Sequence, residues 1–247
     1  MRTRLTILLV AVTSAVALAV PSAFACSAGS YTYAGVAGQT PVSGIGARIT
    51  PAATGFNILA GHVAGWVGVG GPGQGPNGSD EWLQVGLSSF PGTTVNDIYY
   101  EVARPGLAPT YHRIAADVAF GSSFRVAVLE THARQSWWRV WVNGVAASPP
   151  IYLPQSHHRW PPIVTAESWD GGADTCNDFL YRFASLSIAR VPGGVWSQIQ
   201  PSQRIENADY STVVDGASGA FYAAGGPFGL RTLSAAMAPP FPATTAP

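Results

Sequence analysis

The chain has 247 residues, 47% of them hydrophobic and only 11% charged, with 28 glycines and 20 prolines. That apolar content suffices for one large core. Thirteen arginines and no lysines cancel thirteen acidic residues, which leaves no basic excess of the kind that nucleic acid or an anionic membrane attracts.

Met1-Arg2-Thr3-Arg4 is a basic start, Leu5 to Val20 is apolar but for Thr and Ser, and Ala23-Phe24-Ala25 is a small-x-small cleavage signal. Residues 1–25 therefore read as an export peptide. The apolar run is shorter than the roughly 18 to 20 residues a membrane span needs, so no transmembrane segment is expected and the mature chain is expected outside the cell. Cys26 directly follows the cleavage point, where a lipoprotein carries its anchor. Phe24 and Ala23 make a poor lipobox, so plain secretion is the better expectation and lipid anchoring at Cys26 the minor one. After export, Cys26 and Cys176 can form one disulfide. Neither lies in a Cys-x-x-Cys or Cys/His cluster, so no metal and no cofactor is expected.

Short alternating runs then follow one another. In Val63 to Gly70, Val63, Val67 and Val69 share one side, with Ala64, Trp66 and Gly68 on the other. Leu83, Val85 and Leu87 oppose Trp82, Gln84 and Gly86; Ile98, Tyr100 and Val102 oppose Tyr99 and Glu101. Trp138, Val140 and Val142 oppose Trp137, Arg139 and Trp141. Phe124, Val126 and Val128 add another core edge, and Ile163 to Glu167 and Phe179 to Ile188 continue the series. Gly70 to Gly78 reads as a loop, Asn143-Gly144 as a hairpin turn, and Gly171-Gly172 and Gly193-Gly194 as further turns. No long stretch beyond the export peptide carries a helical period. These patterns predict one all-β domain over residues 26–222, a two-sheet antiparallel β-sandwich with a Trp-rich groove on one sheet. Residues 223–247, rich in Ala, Pro and Gly, read as a disordered tail.

Several motifs carry little. Gly71-Pro72-Gly73-Gln74-Gly75 precedes a strand, not a helix that could hold a pyrophosphate. Asn77-Gly78-Ser79 is a formal glycosylation triplet. No Gly-x-Ser-x-Gly elbow is present, and His157-His158 fit a solvated loop between Pro154 and Pro161.

The chemistry is expected on the aromatic-polar face, where Gln84, Trp66 and Glu101 meet. Glu101 and Glu167 are candidate acid/base groups, or simply solvated or paired with Arg139 or Arg182. At these residues the chain resembles the eqolisins, or glutamic peptidases. Tyr33-Ala34-Gly35-Val36 is similar to the family's Trp-Ala-Gly segment, Gly65-Trp66-Val67-Gly68 to its Trp-Val-Gly strand, and Leu83-Gln84-Val85-Gly86 to the stretch around its catalytic Gln. Tyr100-Glu101 matches its Tyr-Glu strand, and Ala166-Glu167 the stretch around its catalytic Glu. The similarity runs from about Tyr33 to about Val214, in order. Tyr33 stands where the family has Trp, and Gly70 and Ser88 where it has Asp. Ser168 separates Glu167 from Trp169, where the family places Trp directly after the Glu.

The resemblance implies a β-sandwich of the concanavalin A-like, jelly-roll type and a secreted, monomeric endopeptidase. Glu167 and Gln84 would be its catalytic pair, with Tyr33, Trp66 and Glu101 shaping the substrate groove; Trp66, Trp82 and Trp141, which alternation places on non-core sides, are expected to line a peptide groove, stack on sugars or pack under loops. It also implies an acidic working pH, a polypeptide substrate and no metal or cofactor. The rival expectation is an inactive relative whose Trp-lined face binds carbohydrate or peptide as a lectin does; a third is a structural protein of the cell surface.

Overall fold

Period-two alternation, with aliphatic residues on one side of nearly every strand, forces the chain into sheets that must bury that side. The computed structural model describes residues 29–54, 56–173, 175–199, 203–207, 210–215 and 219–237. The export peptide, Cys26 and the last ten residues lie outside them. The strands are β1 (Tyr31–Ala37), β2 (Gly44–Pro51), β3 (His62–Gly71), β4 (Glu81–Ser89), β5 (Val95–Ala103) and β6 (Thr110–Ala119). Then come β7 (Phe124–Glu130), β8 (Trp137–Val142), β9 (Val145–Ala146), β10 (Ile151–Tyr152), β11 (Pro162–Trp169) and β12 (Phe179–Ala189). The last are β13 (Trp196–Gln198), β14 (Gln203–Glu206), β15 (Tyr210–Asp215) and β16 (Ala220–Gly225), followed by one helix, α1 (Gly226–Met237).

They form two antiparallel sheets. One has seven strands in the order β14-β1-β11-β3-β4-β5-β6; the other runs β10-β8-β7-β2-β12-β16-β15, with β13 on β12 and β9 on β8. The core lies between them. Val63, Val67 and Val69 of β3, Leu83, Val85 and Leu87 of β4, and Ile98 and Val102 of β5 face Ile45 and Ile49 of β2, Val126 and Val128 of β7, and Phe179, Tyr181 and Phe183 of β12. Each such side chain stabilises the fold by about 1.5–3 kcal/mol on burial. The all-β sandwich and the core faces thus match the alternation, and β8 and β9 join through Asn143-Gly144, both at positive φ.

Three expectations are corrected. Strand β8 belongs to the second sheet, so Trp141 sits on that sheet's outer face, away from the groove; alternation tells which residues share a side but not which sheet a strand joins. Arg182 pairs with Asp215 at 3.0 Å, and Arg139 lies on β8, so neither partners Glu101. The tail from residue 223 is not all tail: β16 continues to Gly225 and α1 follows, with Leu233 buried beside Leu180 and Ala224. Residues 238–247 lie outside the described residues. Asp178, far back in the chain, is what starts the helix. Its Oδ1 accepts from the Phe228 N–H at 2.7 Å and the Gly229 N–H at 3.3 Å, satisfying two first-turn donors. Cys176, two residues earlier, is disulfide-bonded, while its expected partner Cys26 lies outside the described residues.

Asp178→Ala is expected to cost about 1 kcal/mol through loss of that cap, read as a lower midpoint in urea, with Asp178→Asn retaining most of it. A second expectation concerns Glu81, which points to the core side of β4. It is fully buried, and neither oxygen has a hydrogen-bond partner. Burial pushes its carboxyl up from 4.5 to about 7, with the Arg159 guanidinium drawing it partly back. Between those values the folded chain keeps a proton that the unfolded chain has lost, so this contribution to stability is full below 4.5 and lost as pH rises through 7. Glu81→Gln is expected to stabilise the protein by up to about 3 kcal/mol at pH 8 and hardly at all at pH 4, as melting curves at the two pH values would show.

Candidate active site

Three neighbouring strands set the site's frame. On the outer face of the seven-stranded sheet, Gln84 of β4 lies directly across from Glu101 of β5 and Gly68 of β3. Glu167 of β11 lies across from Tyr33 of β1 and Ala64 of β3. Between these two levels runs a row of Thr165, Trp66, Gly86 and Tyr99. Gly86 is required there: a Cβ on it would come within 2.7 Å of the Trp66 Cβ, so any larger residue would lift Trp66 off the floor. The dyad candidates thus stand on either side of Trp66, on strands that flank β3.

A cavity of about 640 Å³ covers this face, lined by Gln84, Glu167, Tyr33, Trp66, Trp82 and Glu101 among others. Every site residue expected from the sequence is on its wall except Trp141. Gln84 and Glu167 are both buried, at 7% and 5% exposure, and so belong to the cavity's lining without projecting from it.

Hydrogen bonds hold the polar groups. The Gln84 amide donates to the Tyr99 hydroxyl at 3.1 Å. Tyr99 stacks on Tyr111 with ring centroids 4.8 Å apart. The Tyr111 hydroxyl bonds Ser88 at 2.9 Å and donates to Asp97 at 3.3 Å, and Asp97 pairs with Arg113 at 2.8 Å. The carboxamide is therefore fixed through a chain that ends in an ion pair. Glu101 accepts from the Trp82 indole at 3.1 Å. Burial, and then the negative charge of Glu167, raise its carboxyl above the ordinary value. Tyr31 is pushed up to about 12 by burial and then by Glu167. Tyr33 and Tyr99 rise further for the same reasons, so all three hydroxyls stay protonated and remain donors. The His62 Nε2 lies 3.7 Å from a Glu167 oxygen. Among the described residues no three His, Cys, Asp or Glu side chains cluster as metal donors.

Sequence reasoning gave no role to Tyr99, His62, Tyr31 or Trp169. The signal was available in the period: Tyr99 is two residues from Glu101, His62 two from Ala64 and Trp169 two from Glu167, so each shares its neighbour's face. Ser168 turns away, its hydroxyl accepting from Asn177 at 3.1 Å. The extra residue thereby returns Trp169 to the groove face, where it stacks on Tyr31 at 6.2 Å and lies 5.7 Å from His62.

No protein-family model matches the sequence, and no curated protein is similar to it. Solved structures are. Two of scytalido-glutamic peptidase, each with a transition-state analogue, superpose with TM-scores of 0.52 and 0.50 at 16% and 14% identity. Each match covers 78% of this chain and 96% of theirs. A further match, at a TM-score of 0.45 and 14% identity, is SCP-B, an eqolisin-family peptidase in complex with the tripeptide Ala-Ile-His. The fold is thus that of the glutamic peptidases, as the sequence motifs led one to expect.

Proposed function

We propose that this chain is a secreted glutamic-type endopeptidase that cleaves polypeptides at acidic pH, exported by residues 1–25 and working as a monomer without a metal. The observation that carries the reading is the shared cavity. A buried carboxylate and a buried, hydrogen-bonded carboxamide line one groove of a glutamic-peptidase fold, on either side of a Trp floor.

In this reading Glu167, as carboxylate, takes a proton from a water held in the groove, and the resulting hydroxide attacks the scissile carbonyl carbon. The carbonyl oxygen becomes an oxyanion and receives a hydrogen bond from the Gln84 amide. Because Tyr99 already orients that group, little reorganisation is needed at the moment charge develops. The tetrahedral intermediate collapses, the C–N bond breaks, and the proton on Glu167 passes to the leaving amine. Glu101 accounts for the acidic range. Burial and the charge of Glu167 raise its carboxyl, so it keeps its proton to higher pH than an ordinary glutamate does. Once Glu101 ionises, a second negative charge faces the developing oxyanion across from Gln84 and opposes it.

Purified mature protein is expected to degrade an acid-denatured protein substrate between pH 2 and 7. Glu167→Gln should lower kcat by about 10²–10⁴ and Gln84→Ala by about 10²–10³, the ranges for losing a general base and one oxyanion donor. An absence of cleavage by the wild type at every pH would sink the proposal. Tyr99→Phe, a positioning change, should lower kcat about tenfold with KM nearly unchanged. Glu101→Gln should carry the falling basic limb of the pH profile to higher pH, which a purely structural role for Glu101 would not do.

A further inference from the structure

Trp141, displaced from the groove, belongs to a second surface. On the outer face of the nine-stranded sheet, β7 presents Arg125, Ala127 and Leu129, and β8 presents Trp137, Arg139 and Trp141. Ala127 lies opposite Trp141, and Leu129 opposite Arg139. Two hollows open here. One of about 600 Å³ is lined by Arg134, Trp137, Arg139 and Trp141; one of about 300 Å³ is lined by Arg125, Trp141 and Trp196. Trp141, Leu129 and Gly193 border both, so they form one trough with Trp141 as the ridge between.

The charge in this trough has one sign. No Asp or Glu lines either hollow. Among the described residues Arg125, Arg134 and Arg139 form no ion pair, in contrast with Arg182 farther along the same sheet, which pairs with Asp215. Arg48 of β2 lies directly opposite Arg125, a like-charge cross-strand pair that costs stability and has no acid beside it among the described ion pairs. The Arg134 guanidinium sits over the Trp137 ring at 5.6 Å. In a chain with no net charge and only 13 basic residues, this is a local concentration of guanidinium groups between the half-buried indoles of Trp137 and Trp141 and the exposed one of Trp196.

We infer that this trough binds an acidic polysaccharide, a chain of uronate sugars. Flat indole faces match the apolar faces of pyranose rings, and the guanidinium fork matches a carboxylate bidentately. Repeated carboxylates would also relieve the Arg48–Arg125 repulsion. A membrane would be met by protruding side chains, whereas these indoles wall hollows; nucleic acid would need a broader basic field than a neutral chain supplies. The surface faces away from the proposed peptidase groove, so the protein could hold a polymer on one sheet while working on another ligand with the other.

The test is affinity electrophoresis and calorimetry of the full mature chain with polygalacturonate, neutral dextran, phosphatidylglycerol vesicles and duplex DNA. Binding to polygalacturonate that weakens with added salt is expected, with none to dextran. Trp141→Ala should reduce affinity at least tenfold. Because that ring is half-buried, Trp196→Ala and the double variant Arg125→Gln/Arg139→Gln, whose circular dichroism should match wild type, are expected to do the same. Gln84→Ala should bind as wild type does, which separates this outcome from the fate of the peptidase proposal. Failure to bind polygalacturonate, equal binding to dextran, tighter binding to vesicles or DNA, or undiminished affinity in the trough variants would overturn the inference.

Discussion

The groove depends on one constraint, the register of β3. Its valines at 63, 67 and 69 are each at most 1% exposed in the core between the sheets, and their burial dictates that Ala64 and Trp66 face outward. Because β3 pairs with β11 on one side and β4 on the other, the same register sets the levels of Glu167 and Gln84. A slip of one residue would drive Trp66 into the core, strand the valines in water and break both levels at once. The aliphatic side of the strand therefore holds the polar side in place, although none of those valines bears chemistry. Trp66 also lies at the floor with its indole N–H lacking an acceptor among the described residues, a local cost that the packing beneath it must offset.

Charge is scarce in this chain, and what is buried of it is carboxylic, with no arginine among the described residues that are buried. Glu101 shares a cavity with Glu167, whose charge adds to Glu101's cost of ionisation, Glu81 is buried with no hydrogen-bond partner among the described residues, and Glu130 is buried with the Ser136 N–H and His157 as its neighbours. Buried carboxyls are least costly when protonated. Glu81 and Glu101 are the two whose burial raises the carboxyl above its ordinary value.

Much of this was legible in the sequence because it is local. Period-two alternation assigned the core sides of β3, β4, β5, β7 and β8, and Asn143-Gly144 and the Gly-Gly pairs marked turns where the backbone does take positive φ. The groove's residues were legible through short motifs that lie on adjacent strands. What could not be read was decided by partners distant in the chain. The sheet that β8 joins depends on β7 and β10, and so moved Trp141. The helix α1 depends on a carboxylate some fifty residues earlier, without which Gly226-Pro227-Phe228-Gly229 reads as loop. Tyr99 gained its role through a hydroxyl that meets Gln84 across β4 and β5.

At two of the positions where the chain departs from the glutamic-peptidase motifs, the local geometry shows what the residue present does. Gly70, where the family has Asp, adopts φ +83°, and a Cβ there would clash with the Glu81 carbonyl oxygen. The bend that ends β3 leaves no room for a side chain there, and the cavity wall at that end is Gly70, Gly71 and Pro72. At the other end, Ser168 delays the Trp by one residue and so turns Trp169 onto the groove face. There, with Tyr31, His62 and Phe90, it forms an aromatic shelf next to Glu167, His62 lying within 6.1 Å of each of the other three. One change removes charge and the other adds apolar surface. Neither change touches the core side of β3 and β4, whose register sets the frame that holds Glu167 and Gln84 on either side of Trp66.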